Sequence, residues 1–543
     1  MAKISKLKND AVYYFDKAVK LTEEGQYLQA IDLFYKAYEK DDGQLPITIE
    51  IANCYKMLEE YETALEFYYK VVANDSKNEH AFVGIITSLI ALDRNSEAIY
   101  FINHCEGEKI IGDQYEVDVS SKTESFHILD RYDKSAVISL ARRLMLSGEY
   151  EYAREILSNI PKQSPQYIEA LNLIAMIYLG QEKYVNSALV CDEVLAISNE
   201  DIYALTSKTV AMFYLKNKEE VDKTVAIIEK VDPTDKTRVG KVAVCMQQIE
   251  NDELALKYYL RLSKFKPYDR NTNLAVGILY HNLGENEKSH KTMVRLSKLY
   301  PGDEIVLFYA RELYYSQERF RVLFDLPQKE QERRLKEIES KLTKLKEVSK
   351  VTKYATNHED FYNLIKWLLF SDQIMFSSHV ANFLAQHVFW HPLIREMLAS
   401  SKVNYYPKRE CLGTFLRFAT KKSFVLYVQD VLQFIKPRKI KCKDEIESAE
   451  IAYWNLYANL VFLLEDFNKD INKVYKHFCK VVNADYFKKE MDGNAMSALF
   501  AFISELHPIF QKQKTASEIF GTTMEKLEDY IVAYNITEGF DDD

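Results

Sequence analysis

Small and large apolar residues recur at a fixed interval along the first three-fifths of the chain. The stretches 27–41 (YLQAIDLFYKAYEKD), 61–78 (YETALEFYYKVVANDSKN) and 95–106 (NSEAIYFINHCE) align on Ala30, Ala64 and Ala98, each 34 residues from the last. Within each, apolar residues return every three to four positions, the period of an amphipathic helix. The trios Ala30/Phe34/Ala37, Ala64/Tyr68/Val71, Ala153/Leu157/Ile160 and Ala255/Tyr259/Leu262 mark one helix of a repeating pair. The pairs Ala18/Leu21, Ala52/Tyr55, Ala141/Leu144, Ala243/Met246 and Gly277/Tyr280 mark the other. A small residue lets two helix backbones approach, and the large one three or four places on fills the gap beside it. Nine two-helix units are predicted, beginning near residues 11, 45, 79, 134, 169, 202, 236, 270 and 304. The fifth and sixth are the least regular, and the ninth shows only its first helix.

Pro165, Pro233, Pro267 and Pro301 stand at or beside the ends of these units, where a residue unable to continue a helix belongs. A 34-residue period with this placement of small, aromatic and proline residues resembles the tetratricopeptide repeat. The resemblance implies an all-α, right-handed solenoid of helical hairpins acting as a protein-interaction scaffold or adaptor. It also implies a concave groove lined by the second, fifth, ninth and twelfth positions of each first helix. In this chain those positions include Phe15, Val19, Ile49, Asn53, Ile138, Arg142, Leu274, Ile278, His281, Phe308 and Tyr315. Members that clamp the carboxylate tail of heat-shock chaperones carry Lys with Asn or Arg at several such places. Here the early repeats offer only Asn53 with nearby Lys56, which argues against that role. An apolar-lined groove suits an amphipathic helix or an extended apolar segment of a partner protein.

The pattern divides the chain. Residues 1–105 hold repeats one to three and residues 134–325 repeats four to nine. Between them, 106–133 loses the helical period and alternates as strands do, predicting an inserted loop or β-hairpin. Residues 326–350 read as a charged capping or linker helix with a narrow stripe of Leu335, Ile338, Leu342 and Leu345. The remainder, 351–543, reads as a mostly helical domain: apolar helices over 358–400, a short strand pair within 421–441, and helices near 446–465, 470–482 and 493–508. Around Gly521, residues 511–534 have the spacing of a helix-turn-helix, which supplies an alternative function, a repeat-regulated DNA-binding protein.

Charge sharpens this picture in places. Residues 1–200 carry 20 Lys/Arg against 33 Asp/Glu, residues 201–450 carry 42 against 33, and residues 451–543 carry 9 against 15. The segment 402–443 concentrates 11 basic residues against two acidic ones. Such a segment suits nucleic acid, an acidic partner or a solvated face. In the helix-turn-helix the second helix offers only Lys526 beside Glu525, Glu528 and Asp529, a poor surface for phosphate. Nucleic acid is therefore the minor expectation and protein or peptide the major one.

Seven scattered cysteines with no CxxC pair, and no apolar leader at the start, point to a reducing cytoplasm. No stretch is apolar enough to span a bilayer. Abundant Lys, Tyr and Ile with few Gly suit an AT-rich bacterial genome. No phosphate loop, dinucleotide turn, HExxH or GxSxG motif occurs. His387 and His391 share a helix face on paper, but Pro392 beside them indicates a helix boundary rather than a metal site. No catalytic residue, metal ligand, cofactor or small-molecule substrate is expected, and the chain is not read as an enzyme.

Overall fold

A computed structural model describes residues 9–40, 45–92, 94–108, 137–146, 150–420, 423–428, 431–443, 445–464, 467–490 and 492–538. The expected insertion therefore lies, apart from residues 106–108 at the end of a helix, outside the described residues. Helices come in pairs: α1 (Asn9–Glu23) and α2 (Tyr27–Lys40), α3 (Leu45–Met57) and α4 (Tyr61–Asn74), α5 (Glu79–Ala91) and α6 (Asn95–Glu108), α7 (Val137–Leu146) and α8 (Tyr150–Ser158). The series continues with α9 (Tyr167–Gly180) and α10 (Tyr184–Ile197), α11 (Ile202–Tyr214) and α12 (Lys218–Val231), α13 (Lys236–Gln248) and α14 (Asp252–Phe265), and α15 (Arg270–Asn282) and α16 (Asn286–Leu299). Helix α17 (Glu304–Tyr315) begins a ninth unit whose second helix is replaced by extended chain from 316 to 327.

Two compact units are formed. The first comprises Met1–Phe67, Gly84–Ala98 and Val119–Gln331, and the second Tyr68–Val83, Ile99–Asp118 and Glu332–Asp543.

Three ladders, each with a 34-residue rung, build the first unit. Ala30, Ala64, Ala98, Ala153 and Ala255 are fully buried near the start of each second helix. In the fifth, sixth and eighth units Ser187, Val221 and Ser289 take that place. Ser187 Oγ donates to the Ala175 carbonyl at 3.0 Å and Ser289 Oγ to that of Gly277 at 2.8 Å, so a hydroxyl is tolerated where it satisfies the facing backbone. At Gly277 the approach is close enough that a Cβ would sit 2.5 Å from Met293 Sδ.

The second ladder is the turn between paired helices. Gly25, Glu59, Glu182, Lys216, Glu250 and Gly284 all have φ between 58° and 75°. Each closes the first helix with paired backbone bonds, as Glu250 N to Gln247 O and Asn251 N to Met246 O. Four of these six positions carry a side chain in the left-handed region, at roughly 1 kcal/mol each. The third ladder is Asp201, Asp235, Asp269 and Asp303, whose carboxylates accept backbone N–H groups at the starts of α11, α13, α15 and α17.

The first unit also closes on itself. The Tyr55 hydroxyl donates to the Leu299 carbonyl at 2.5 Å, and its ring stacks on Phe67 at 5.4 Å and on Tyr300 at 5.6 Å. Gly302 lies so near Tyr35 that a Cβ would come within 2.8 Å of the ring. This seam joins the first two helical pairs to the eighth and ninth.

The second unit combines parts of α4, α5 and α6 with the C-terminal helices. These are α18 (Gln328–Leu345), α19 (Val348–Asn357), α20 (Glu359–Leu369), α21 (Ile374–Leu384), α22 (His391–Ala399), α23 (Tyr405–Phe418), α24 (Glu447–Leu460), α25 (Asn468–Val481), α26 (Asp485–Glu490), α27 (Gly493–Ser504), α28 (Gln513–Phe520) and α29 (Met524–Glu538). The expected strand pair is present as β1 (Phe424–Val428) and β2 (Val431–Ile435), antiparallel, with Val428 opposite Val431. Phe434 of β2 stacks between Phe82 at 5.5 Å and His104 at 3.8 Å, which ties the hairpin to residues of α5 and α6. Tyr453, Tyr475, Phe478 and Phe500 form an aromatic core across α24, α25 and α27. As the stripe predicted, α18 is solvated except along a narrow face, with Ile338 buried.

Candidate functional site

The extended segment 316–326 identifies the first-helix surface that has binding geometry. It is held at every second residue. His281 on α15 meets the Glu318 carbonyl through Nε2 at 2.9 Å, so Nε2 carries the proton. Next along the chain, the Asn282 amide reads both polar groups of Phe320. Its Nδ2 donates to the Phe320 carbonyl at 2.8 Å, and its Oδ1 accepts the Phe320 N–H at 2.9 Å. Gln247 Nε2 on α13 then donates to the Val322 carbonyl at 3.0 Å. Arg270 Nη1 reaches the Phe324 carbonyl at 3.3 Å, and the Tyr309 hydroxyl on α17 reaches that of Asp325 at 3.3 Å.

Each of these donors is itself positioned. Arg270 holds Asp303 with two bonds, at 2.5 and 3.1 Å, and Asp303 caps α17. Gln247 accepts a bond from the Tyr259 hydroxyl. Asn282 donates to Asp252, and Arg319 of the segment grips the same carboxylate at 2.9 and 3.0 Å, with Glu250 3.5 Å away. That contact raises the Arg319 guanidinium above its ordinary range, holding its charge fixed.

Side chains of the segment alternate as the pleat requires. Phe320 turns inward, edge-on to His281 at 5.5 Å and to Tyr309 at 6.2 Å, while Val322 and Leu326 are buried. Arg319 and Arg321 face outward, the latter to the Tyr214 hydroxyl at 3.4 Å.

The positions expected to line a groove fall into three groups. Leu274, Ile278 and His281 share one side of α15, and all three are buried, His281 against the segment. Ile138 belongs to a core cluster with Ala141, Ala153 and Ile174, Ile49 is buried in α3, and Phe15 packs edge-on to Phe34. Val19 and Phe308 are half-buried, and Asn53 is half-buried with its amide on Glu50 at 3.4 Å. Arg142 is exposed and paired with Glu169 at 2.7 Å, and Tyr315 is 78% exposed. Burial, with Arg142 nearby, lowers the Lys241 amine on α13.

Sequence reasoning missed Gln247, Arg270 and Asn282. Gln247 had a signal, since it stands 34 residues before His281, at the same place on the preceding first helix.

The fold of the first unit is a tetratricopeptide-type array of helical hairpins. No protein-family model matches the sequence, and no curated protein matches it. Among solved structures, the chain is similar to the P58(IPK) TPR domain at 14% identity, over 56% of this chain and 97% of that one, with a TM-score of 0.23. It is also similar to the TPR2AB domain of yeast Sti1 in a pHSP90 complex, at 13% identity over 56% and 98%, with a TM-score of 0.17. Yeast Tom70 is similar at 12% identity over 97% and 95%, with a TM-score of 0.22. The architecture is accordingly argued from the chain's own helix pairs and ladders.

The other candidates have less to offer. Helices α28 and α29 flank Gly521 at φ 67°, the shape expected of a helix-turn-helix, but Lys526 is paired with Asp492 at 2.7 Å. Within 402–443, Arg417 pairs with Glu447, Lys439 with Glu445, and Lys408 is buried on the Ser400 and Tyr427 carbonyls. His391 is buried with Nε2 on the Ala385 carbonyl at 2.9 Å, and His387 caps the turn at Phe389. No cluster of three or more metal-ligating side chains occurs among the described residues. No described helix is long and apolar enough to cross a membrane.

Proposed function

We propose that this protein is an interaction scaffold that takes an extended segment of a partner protein on the first-helix face of its repeat array. The observation that carries this reading is the hold on residues 318–325. Side chains of α13, α15 and α17 donate to successive alternate carbonyls, which is how a repeat surface grips a peptide of any sequence. Apolar places for alternate side chains then add selectivity. The DNA-binding alternative gains nothing from α29, where Lys526 is neutralised and Glu525, Glu528 and Asp529 would repel phosphate.

Photo-crosslinking tests this reading. A benzophenone amino acid is placed at Tyr315 or Arg142 on first helices, and at the exposed Val185 on a second helix as control. Discrete protein adducts are expected from Tyr315 or Arg142 and not from Val185. Adducts from Val185 alone would remove the first-helix face as the binding surface.

A further inference from the structure

The segment between α17 and α18 is held unlike any other connection in the first unit. Among the described residues, no backbone–backbone hydrogen bond involves residues 317–326. All holds on its backbone from the helices are side-chain donors: His281, Asn282, Gln247, Arg270 and Tyr309. Such contacts read N–H and C=O groups that every peptide possesses, so an incoming segment can replace each one in kind. Three features select among segments: inward places for Phe320, Val322 and Leu326, and an acidic grip of Asp252 with Glu250 on the residue before the first of them.

We propose that residues 316–326 are an internal ligand. The face of α13, α15 and α17 binds extended segments with apolar residues at alternate positions and an Arg or Lys just before the first. The chain's own strap occupies that face until such a segment from a partner protein displaces it. This rests on the reading of the face as a peptide-binding surface. A tethered ligand acts at an effective concentration in the millimolar range, so a free peptide of equal intrinsic affinity is strongly suppressed. Removing the strap's contacts removes that penalty.

The experiment uses the full chain and a fluorescein-labelled synthetic peptide with the sequence of residues 316–327, SQERFRVLFDLP, read by fluorescence anisotropy. The strap is opened by Arg319→Ser, Phe320→Ser and Val322→Ser together. The opened chain is expected to bind the peptide at least about tenfold more tightly than wild type. A peptide with Ser at the places of Phe320, Val322 and Leu326 is expected not to bind. Equal binding by wild type and opened chain overturns the gate while leaving the peptide-binding face standing. A folded opened chain that binds neither peptide overturns both. Should the opened chain fail to fold, hydrogen exchange on wild type decides. Amides of 319–325 exchanging well before those of α13 and α15 supports a removable strap, and exchange only together with those helices overturns it.

Discussion

The first unit meets itself at long range in two places, and they are built in opposite ways. At the seam, Tyr35, Tyr55, Phe67 and Tyr300 bring rings together, and burial lifts the Tyr55 and Tyr300 phenols above their ordinary range, which keeps them neutral. At the strap, amides, an imidazole and a guanidinium take the carbonyls of an exposed, extended segment. A buried ring contributes about 1.5–3 kcal/mol through burial alone, and no solvent group or free peptide supplies the same shape. A hydrogen bond to a peptide carbonyl contributes about 0.5–1.5 kcal/mol net and is replaced by the same bond to another chain. The aromatic contact therefore fixes the array, and the polar one holds an occupant that can leave.

The largest expected effect tests the fixed side of this contrast. Tyr55→Ala removes a fully buried ring that contacts both ends of the array, and an unfolding free energy lower by about 3–4 kcal/mol is expected from urea titration. Tyr55→Phe, which leaves the Leu299 carbonyl without its donor, is expected to cost about 1–2 kcal/mol. A loss under about 1 kcal/mol for the alanine variant would mean that the seam is an incidental touch. Arg270→Ala comes next, at about 2 kcal/mol. It strips the partly buried Asp303 of its cation and the Phe324 carbonyl of a donor at once, so both α17 and the strap loosen. Faster hydrogen exchange should then appear in 304–315 as well as in 319–325. A change confined to the strap would show that the Asp303 pairing contributes little.

Acidity offers a smaller and reversible handle on the seam. The Glu60 carboxyl, at the turn before α4, is pushed up to about 7 by burial and by the Asp269 carboxylate, against the opposing pull of Lys266 and Lys236. Asp269 is fixed where it stands, because it accepts from the Thr272 N–H at 2.8 Å and hydroxyl at 2.6 Å. A carboxyl whose folded-state value lies above its unfolded one adds stability that is complete below about 4.5 and is lost as pH rises through about 7. Glu60 retains partial solvent access, so screening reduces this to the order of 1 kcal/mol. The urea midpoint should fall between pH 5.5 and pH 8, and Glu60→Gln should flatten that slope. An unchanged slope in the variant would assign the dependence to other groups.

Legibility from sequence followed how much of each feature is local. The alanine ladder was visible because a backbone crossing leaves room for one small side chain, and that need repeats every 34 residues. It faded at Ser187, Val221 and Ser289 because a hydroxyl bonded to the facing carbonyl, or a half-buried valine, also fits. The Asp201–Asp235–Asp269–Asp303 ladder was equally regular but escaped a search made for apolar residues alone. The turns escaped for another reason. Helix closure demands a left-handed residue there, yet Glu59, Glu182, Lys216 and Glu250 fill a place where glycine would have announced it. The strand pair around 424–435 was read from its β-branched and aromatic run. Neither the seam nor the strap was foreseen. Both depend on contacts between residues far apart in sequence, such as Tyr55 with Leu299 and Gln247 with Val322, for which no local spacing exists.

The smallest expected effect is the one that separates occupant from scaffold most cleanly. Gln247 donates to the Val322 carbonyl through Nε2 and accepts from the Tyr259 hydroxyl through Oε1. Gln247→Glu keeps the acceptor facing Tyr259 and puts an oxygen where the donor to Val322 stood. The helix pair α13–α14 should be undisturbed, and the global urea midpoint should correspond to a change within about 0.5 kcal/mol. Loss of one peptide bond's donor should raise the open population of the strap about three- to tenfold, read as faster amide exchange across 319–325. If the strap were part of the permanent core, opening it would require unfolding α13 and α15, and the same substitution would lower global stability in step with local exchange. Selective acceleration of 319–325 with an unmoved midpoint is therefore the signature of an occupant held by replaceable bonds, and a matched fall in both is the signature of a scaffold element.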